Sequence, residues 1–500
     1  MSKQFILALD QGTTGSRAFL FDKKGKIVAS SYKEFKQYFP KPGWVEHDAE
    51  EIWSSCVDVI KGALRKARVS SNQIAAIGIT NQRETTVLWD RETSKPVARA
   101  IVWQCRRTAE ICLRLKARGL EKNFKHKTGL VLDPYFSGTK IKWFLDNIPG
   151  LRKRAERGQI CFGTIDSWLI WKLTGGQSHV TDFTNASRTL IFNIRNLCWD
   201  KELLKILNIP ENILPRARNS GSIFGYTAGG QKKLPLPSRI PIAAVLGDQQ
   251  AALYGQGCFE AGTLKNTYGT GCFIVLNTGK KCIYSKKGLL STLISDERGK
   301  PLYALEGSIF IAGAVVQWLR DGLGVIQKSS DIEKAIQGVK DTQGVYFVPA
   351  FTGLGAPHWD SHARGLLCGL TRGTNLKHIL RAALESIAYQ TKDVVDIMRE
   401  ELKKDIKELN VDGGACRNNF LMQFQADILG CKIIRPKMIE STAQGVAFLA
   451  GVTIGLWKGK KDLESLRRVD RVFIPQMKNK ERAHLYAGWQ EAVERARHAS

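Results

Sequence analysis

The chain has 500 residues, a length that predicts more than one hydrophobic core and about two to four domains. Hydrophobic residues make up 43% and charged residues 24% of it, a balance that excludes a disordered chain. With 75 Lys and Arg against 47 Asp and Glu, the net charge is +28. The basic residues are spread along the chain, which favours a generally basic surface that attracts anions. A basic site for a partner stays open as the alternative.

The cysteines and apolar runs exclude several classes of protein. Eleven cysteines without a CxxC pair argue against a disulfide framework and a zinc site, and His358 and His362 lack a third ligand nearby. The cysteines are therefore expected to be mostly buried apolar residues of a reducing compartment. The apolar runs at 5–9 and 445–457 are too short for a signal peptide and for a membrane helix of about 18 residues. We expect a soluble, cytoplasmic protein without membrane insertion.

Strand and turn signals recur along the chain. An apolar run at 5–9, a Gly- and Thr-rich turn at 10–15 and a second apolar run predict a hairpin. The same succession recurs at 262–276, around the turn Gly269-Thr270-Gly271. The segment 409–414 again places glycines after an apolar run, and a helical pattern follows. These repeats predict related strand-and-turn units in both halves of the chain.

Helical periodicity separates these units. Asp48 and Glu51 form a candidate capping box before a helical pattern at 52–64. The apolar positions at 379–395 predict one face of a long buried helix. Strands that alternate with helices predict α/β layers. Two hairpin-led halves predict two lobes, 1–254 and 255–500, with the break near 250–262.

The first turn has the composition of a phosphate-binding loop. Gly12 and Gly15 allow the backbone to approach a phosphate, and Asp10 at the strand end is a candidate to hold Mg²⁺ through water. The hydroxyl and charged groups of the turn belong to Thr13, Thr14, Ser16 and Arg17. The turn lacks the GxxxxGK[ST] order of a Walker loop, and taken alone it also fits a plain hairpin.

Two further motifs carry groups suited to a polyol and to phosphoryl transfer. A strand at 77–80 places Arg83 and Glu84 at its carboxyl end, where they can bind neighbouring hydroxyls or form an internal ion pair. Asp248 follows Gly247 and is a candidate to orient a hydroxyl and accept its proton. It is equally a candidate helix N-cap, and the two interpretations are compatible.

These motifs together resemble a known family. The runs 9–14, 80–84, 247–253, 266–273 and 418–423 resemble those of carbohydrate kinases that act on glycerol, xylulose or gluconate, over essentially the whole chain. The resemblance implies the fold of the actin-like ATPases: an α/β protein with two actin-like (ribonuclease H-like) lobes and an interlobe cleft for nucleotide and substrate. It also implies phosphoryl transfer from ATP, with Mg²⁺ as cofactor, to glycerol, and a homo-oligomer, either a dimer or a tetramer.

The resemblance also implies site residues. Asp248 would be the catalytic base, and Asp10 would hold Mg²⁺ through water. The implied glycerol contacts are Arg83, Glu84, Trp103, Tyr135, Asp248, Gln249 and Phe273. The implied ATP contacts are Thr13, Thr14, Gly15, Arg17, Thr270, Gly313, Gln317, Gly414 and Asn418. Family members that act on glycerol usually have Ser in place of Gly15; since the backbone N–H remains, nucleotide binding is expected to persist.

Two rival functions stay open at this point. One is a kinase of the same family acting on a ketopentose or sugar acid, although Trp103 and Phe273 favour a three-carbon substrate. The other is a basic nucleic-acid-binding protein that has lost catalysis, against which the intact acidic and basic motif residues argue. Control by fructose bisphosphate or by phosphorylation of a histidine is not expected, because the segment 230–237 differs from the family's loop and no histidine lies between His179 and His358.

Overall fold

The computed structural model describes residues 4–229, 234–360 and 362–498. The segment 230–237 lies partly outside the described residues, because 230–233 are not among them.

Twenty-three strands occur in the described residues. In chain order they are β1 Phe5–Gln11, β2 Gly15–Phe21, β3 Ile27–Glu34, β4 Glu46–His47, β5 Ile74–Asn81, β6 Val87–Asp90, β7 Ala100–Ile101, β8 Ile160–Gly163, β9 Val180–Asp182, β10 Phe192–Asn193, β11 Cys198–Trp199, β12 Arg216–Arg218, β13 Gly225–Tyr226, β14 Pro241–Gly247, β15 Leu264–Tyr268, β16 Cys272–Gly279, β17 Leu290–Ser295, β18 Pro301–Ile309, β19 Tyr346–Val348, β20 Leu366–Cys368, β21 Glu408–Asp412, β22 Lys432–Pro436 and β23 Val469–Phe473.

The α-helices lie between and around these strands. In chain order they are α1 Ala49–Ala67, α2 Ala109–Ala117, α3 Glu121–Thr128, α4 Ser137–Asn147, α5 Leu151–Glu156, α6 Ile165–Leu173, α7 Phe183–Ala186, α8 Lys201–Leu207, α9 Asp248–Gly255, α10 Gly313–Asp321, α11 Asp331–Ala335, α12 Leu376–Leu402, α13 Asn419–Leu429, α14 Ser441–Thr453, α15 Lys460–Leu466 and α16 Asn479–His498. In the part of the chain that the structure describes, no helix has the length and apolar character needed to cross a membrane.

Two large sheets form the centres of the two halves. The first has the order β13-β14-β5-β1-β2-β3, with β1 antiparallel to β2 and parallel to β5. The second has the order β17-β18-β16-β15-β21-β22-β23, with β15 antiparallel to β16 and parallel to β21. The same five-strand pattern is thus built twice: three antiparallel strands, then two parallel ones. The predicted two-lobed α/β fold is confirmed, and the predicted hairpins at 5–21 and 262–276 are present.

The predicted helices are also present, with one difference in detail. The helix predicted at 379–395 is the central part of α12. At the start of α1, the carboxylate of Asp48 accepts from the backbone N–H groups of Glu50 and Glu51, as an N-cap should. The reciprocal half of the predicted capping box is wrong: Glu51 instead accepts a hydrogen bond from the hydroxyl of Tyr38, at 2.6 Å. Tyr38 precedes the helix and is not part of the capping pattern, so its hydrogen bond to Glu51 could not be predicted from that pattern.

Helix α14, late in the chain, packs into the core of the first sheet. Its Ala443 and Val446 belong to the same buried cluster as Ile6 and Ala8 of β1. A Cβ at Gly78 of β5 would lie 2.5 Å from the carbonyl oxygen of Val446, so the helix backbone sits directly on the strand. The first sheet therefore receives one of its covering helices from the second half of the chain.

Candidate active site

An aromatic wall lies between the two sheets. The ring of Trp103 lies 5.6 Å from that of Tyr135 and 6.4 Å from that of Phe273, in edge-to-face geometry. The indole Nε1 of Trp103 donates to the hydroxyl of Thr13 in the first Gly/Thr turn, at 3.0 Å. Since Phe273 belongs to β16, residues of both lobes build this wall. The structure thus brings together three of the predicted glycerol contacts and one predicted ATP contact.

Arg83 lies at the base of the same region, just beyond the carboxyl end of β5. Its Nε is 3.0 Å from Oδ1 of Asp248. Its Nη1 and Nη2 donate to the two carboxylate oxygens of Glu306 on β18, at 2.6 and 3.0 Å. A Cβ at position 247 would lie 2.7 Å from Cδ of Arg83, so glycine at 247 lets the arginine pass. The guanidinium is therefore held in one orientation beside Asp248.

Arg83 belongs to a network of four buried charged side chains. Arg188 Nε donates to Glu84 Oε1 at 2.6 Å, and its Nη2 donates to Glu306 Oε1 at 3.0 Å. Burial raises the pKa of Glu84, against the attraction of Arg83 and Arg188. Burial would also raise the pKa of Glu306, but Arg188 and Arg83 together lower it to about 2. Sequence reasoning found Arg83 and Glu84 and missed Arg188 and Glu306.

The backbone of Glu84 is held in an uncommon conformation. Its φ is +62°, in the left-handed region that costs a non-glycine residue free energy. Its carbonyl oxygen accepts hydrogen bonds from Ser137 Oγ at 3.0 Å, Thr86 Oγ1 at 3.1 Å and Lys140 Nζ at 3.3 Å. Burial lowers the pKa of Lys140 to about 8. Three donors thus fix the peptide and aim the Glu84 carboxylate at Arg188.

Asp248 is the first residue of α9, and Gly247 precedes the helix. Its Oδ1 accepts the backbone N–H of Gln249 at 2.8 Å, and its side chain is 33% exposed. The Gly247 N–H donates to Oγ1 of Thr184 at 2.9 Å, and that hydroxyl donates to Asp182 at 2.6 Å. Asp248 therefore combines a fixed backbone with a carboxylate that a ligand can reach. The N-cap interpretation shifts by one residue, because the helix already starts at Asp248.

A buried lysine supports the other side of the pocket. Lys265 of β15 donates from Nζ to Oε1 of Gln249 at 2.5 Å, to the Thr267 hydroxyl at 2.7 Å and to the carbonyl of Phe273 at 3.2 Å. Burial lowers the pKa of Lys265 to about 8, while Asp412 opposes the shift. Sequence reasoning missed Lys265, because β15 has the sequence Leu-Lys-Asn-Thr-Tyr and its polar residues do not mark the lysine as buried.

The first Gly/Thr turn is held on its outer side. Arg17 Nη1 donates to Glu440 Oε2 at 2.9 Å, and both side chains are partly exposed. A Cβ at Gly15 would lie 2.5 Å from the ring of Tyr32, which therefore fills the space of a side chain at this position. Burial raises the pKa of Asp10 to about 7; Arg17 opposes this shift, and Glu440 and Asp248 add to it. Asp10 consequently lies within electrostatic reach of both the turn and Asp248.

The second Gly/Thr turn is joined to the start of α10. The N–H of Gly313 donates to Gly269 O at 3.0 Å, and the N–H of Ala314 donates to Thr270 O at 3.0 Å. A Cβ at Gly313 would lie 2.6 Å from Gly269 O, so the contact depends on glycine. Thr270 and Gln317, two predicted ATP contacts, are exposed beside this junction.

The glycines after β21 meet the same turn. Gly413 has a φ of +85°, and a Cβ there would lie 2.5 Å from Tyr268 O, just before the turn. Gly414 is exposed, with nothing within 4 Å of a Cβ. Asn418 caps α13, because its side-chain Oδ1 accepts the N–H of Leu421 at 2.8 Å. Open space, glycines and a helix N-terminus here suit a phosphate or ribose.

A divalent cation in this cleft needs the phosphate oxygens of a bound nucleotide among its ligands. Within residues 4–229, 234–360 and 362–498, no three His, Cys, Asp or Glu side chains lie close enough to bind a metal ion by themselves. Asp10, however, offers a single carboxylate near the end of β1, next to the first Gly/Thr turn. A hard cation that keeps water and phosphate oxygens among its ligands suits such a single carboxylate.

Comparison with known proteins identifies the family. The model of the FGGY family of carbohydrate kinases matches residues 5–255 with its N-terminal domain and 264–454 with its C-terminal domain. The glycerol kinase of Carboxydothermus hydrogenoformans is 59% identical over 497 residues, covering 99% of both chains. Glycerol kinase 2 of Thermotoga maritima is 57% identical over 493 residues, again covering 99% of both chains.

A solved structure extends the similarity to three dimensions. The Plasmodium falciparum glycerol kinase with ADP has a TM-score of 0.92 and 39% identity, covering 99% of this chain and 98% of that chain. The matches in sequence and in structure thus both run the full length of the two lobes. The chain belongs to the FGGY family of carbohydrate kinases.

Proposed function

We propose that this kinase transfers the γ-phosphoryl group of ATP to glycerol, giving ADP and sn-glycerol 3-phosphate. The observation that carries the proposal is the placement of Asp248, 3.0 Å from Arg83 and with a side chain that is 33% exposed, while Lys265 joins the neighbouring Gln249 to Phe273 of the aromatic wall. The full-length relatives named glycerol kinase support the choice of glycerol among the family's substrates.

In this proposal, polar side chains and aromatic rings together form the glycerol pocket. Asp248 and Glu84 accept hydrogen bonds from hydroxyls, while Arg83 and the Gln249 amide, oriented by Lys265, complete the polar contacts. The aromatic wall packs against the carbon chain. A three-carbon polyol uses these groups fully, whereas a longer sugar must place further hydroxyls against the rings without partners.

The chemical step needs one base. The carboxylate of Asp248 accepts the proton of a glycerol hydroxyl as that oxygen bonds to the γ-phosphorus, and the bond to the β–γ bridging oxygen breaks to release ADP. The fixed Gly247–Asp248 backbone keeps the carboxylate in place during this step. Closure of the two lobes excludes water, so that transfer to glycerol outcompetes hydrolysis.

We assign the nucleotide to the face of the cleft opposite glycerol. Residues 1–254 supply the glycerol pocket and the phosphate turn with Thr13, Thr14, Gly15 and Arg17. Residues 255–500 hold the rest of the nucleotide. Their contacts are Thr270, Gly313, Gln317, Gly414 and Asn418. A Mg²⁺ ion held by Asp10 through water would neutralise charge on the β- and γ-phosphates.

The location and assembly of the enzyme belong to the same proposal. A cytoplasmic location gives the enzyme access to ATP, and a homodimer or homotetramer is the assembly predicted by family resemblance. Size-exclusion chromatography with light scattering measures the second point directly.

A substrate panel tests the function. ADP release with MgATP is measured for glycerol, xylulose, ribulose and gluconate. We expect kcat/KM for glycerol to exceed that of each other substrate by at least ~10²-fold, because buried donors and acceptors left unpaired by a wrong substrate are costly. A ketopentose or sugar acid with the highest kcat/KM would refute the assignment to glycerol and leave the family membership untouched.

A further inference from the structure

A second pocket, remote from the cleft, lies at the far end of β2. It has a volume of about 340 Å³, within the size range of sites for small ligands. Five of its ten described lining residues are cationic: Lys24, Lys26, Lys437, Arg467 and Arg468. The first Gly/Thr turn lies at the other end of β2, and the seven residues of that strand span about 20 Å. We call this site the basic pocket.

The walls of the basic pocket come from both halves of the chain and are tied together. Lys24 and Lys26 lie in the turn between β2 and β3, and the indole of Trp457 donates to the carbonyl of Lys23 in that turn at 3.0 Å. Gly25, with a φ of +66°, brings the turn so close that a Cβ would lie 3.2 Å from Leu466.

The opposite wall is fixed as well. The N–H of Lys437 donates to the carbonyl of Arg468 at 2.8 Å, which joins the segment after β22 to the segment before β23. Both walls are thus set by backbone contacts, and the pocket does not depend on the positions of its lysine side chains.

The lining of the basic pocket carries an excess of positive charge. No carboxylate lines it among the described residues, and none of them forms an ion pair with Lys24, Lys26, Lys437 or Arg468. Asp22, in the same turn, is occupied by the backbone N–H groups of Lys24 and Lys26, each at 2.9 Å. Like charges gathered in a concave site repel one another and attract an anion.

Arg467 is the most strongly oriented of these cations. Its Nη2 donates to Asn410 Oδ1, and also to Gln256 Oε1 at 3.4 Å. Its Nε is buried and lacks a hydrogen-bond partner within the described part of the chain. Because Gln256 and Asn410 hold its guanidinium, Arg467 adds positive charge to the pocket and leaves the phosphate contacts to the other four cations.

The floor of the basic pocket is apolar. Pro436, Met438 and Leu466 line it below the cations. A bare inorganic ion would use the rim and leave this floor in contact with water. A ligand with an anionic group and an apolar body would cover both surfaces.

We propose that the basic pocket binds a small phosphate monoester with an apolar body, with the phosphate at Lys24, Lys26, Lys437 and Arg468 and the body on Met438 and Leu466. The site is separate from the proposed glycerol and ATP contacts. Part of the +28 net charge then serves to bind a specific ligand and is not only a diffuse surface charge.

Titration calorimetry with phenyl phosphate tests the proposal, with saturating ADP and glycerol present to fill the cleft. The pocket variant is Lys437→Glu with Arg468→Glu. The matched control is Lys280→Glu with Lys281→Glu, an exposed basic pair that undergoes the same change of charge. Loss of two charge-assisted contacts is expected to weaken phenyl phosphate binding by at least ~10-fold in the pocket variant, and the control should stay within ~2-fold of wild type.

Two further ligands separate the possible sources of the phosphate group. Inorganic phosphate and glycerol 3-phosphate lack an apolar body and should each bind at least ~10-fold more weakly than phenyl phosphate. Equal binding by the pocket and control variants would overturn the proposal, as would binding of phenyl phosphate no tighter than that of inorganic phosphate. Lys437→Met, which removes one charge and keeps an unbranched side chain of nearly the same length, should weaken binding in the same direction by ~3-fold or more. Binding is measured without Mg²⁺, so that ADP and glycerol 3-phosphate do not react back, and this result is independent of the substrate panel.

Discussion

Replacing Glu306 by Gln should strongly destabilise the protein, because this one carboxylate holds two buried guanidinium groups. Its oxygens accept three hydrogen bonds, two from Arg83 and one from Arg188, at 2.6 to 3.0 Å. The side chains of Glu306, Arg83 and Arg188 are at most 1% exposed. A glutamine would turn an amide N–H₂ toward these donors and leave a buried positive charge. Breaking a buried ion pair in this way costs about 3–5 kcal/mol.

The lowered pKa of Glu306 leads to a destabilisation of similar size and predicts how that destabilisation depends on pH. Lowering it from 4.5 to about 2 corresponds to roughly 3 kcal/mol in favour of the ionised form. Because the folded-state pKa is depressed, this stabilisation is present above the unfolded pKa of 4.5 and is lost as the pH falls toward 2. The difference between wild type and Glu306→Gln should therefore be largest near neutral pH and shrink in acid.

Equilibrium urea unfolding, followed by tryptophan fluorescence at pH 7 and pH 4, measures both points, provided that the slopes with urea match. Glu260→Gln is the matched control, since Glu260 is 69% exposed and pairs with Lys460 on the surface. That change should cost at most about 1 kcal/mol. If Glu306→Gln is no more destabilising than the control, or its cost does not fall with pH, the reasoning about the network is wrong.

Three further predictions concern single side chains. Asp248→Asn should lower kcat for glycerol by ~10²-fold or more with a smaller change in KM, and near-normal turnover would remove Asp248 from the mechanism. Thr184→Val should lower the free energy of unfolding by about 1–3 kcal/mol, because the Gly247 N–H loses its acceptor; Thr184→Ser should restore it, and equal effects of the two variants in urea unfolding would argue against the hydrogen bond. Burial raises the pKa of Asp393 to about 7, so its contribution to stability is complete below the unfolded value of 3.8 and is lost as the pH rises through 7. Thermal unfolding from pH 6 to 8 should show wild type losing stability relative to Asp393→Asn, and parallel profiles would contradict this sign.

The strands and turns were predictable because local signals were strong. Apolar runs interrupted by Gly and Thr located β1, β2, β15 and β16, since glycine permits the tight turns that end each strand. The placement of α14 was not predictable in this way. Its apolar periodicity is compatible with any buried surface, and only the close approach at Gly78 reveals that the surface is β5.

The candidate site residues could be picked out from the sequence where they belong to contiguous motifs. Arg83, Glu84 and Asp248 stand in polar runs at strand ends, the usual place for ligand groups in α/β proteins. Glu306 lies in β18 and Arg188 lies in a loop. Neither segment has a sequence pattern that indicates which residue the side chain binds. Glu306 and Arg83 are 223 residues apart in the chain, so the pair is visible only in three dimensions.

The Gly15 departure illustrates how compensation hides from a sequence. From the sequence alone, glycine at this position indicates only that the hydroxyl of the usual serine is missing. In the structure the ring of Tyr32 occupies the vacated space, and its hydroxyl lies 2.8 Å from where a Cβ would stand. A serine introduced at position 15 would also meet the backbone carbonyl oxygen of Lys33, 2.8 Å from its Cβ, so a change of Tyr32 alone would not make room for it.

The covering of the first sheet by α14 has a consequence for synthesis on the ribosome. Strands β1, β5 and β14 are complete once residue 247 has been made, but the helix that packs on them ends at Thr453. At a synthesis rate of about 5–20 residues per second, this face of the sheet stays exposed for on the order of 10–40 s before α14 has been made. During that interval Ile6, Ala8 and their buried neighbours offer an apolar surface to chaperones. A chain released before α14 emerges should thus be a chaperone substrate, even though its first sheet is complete.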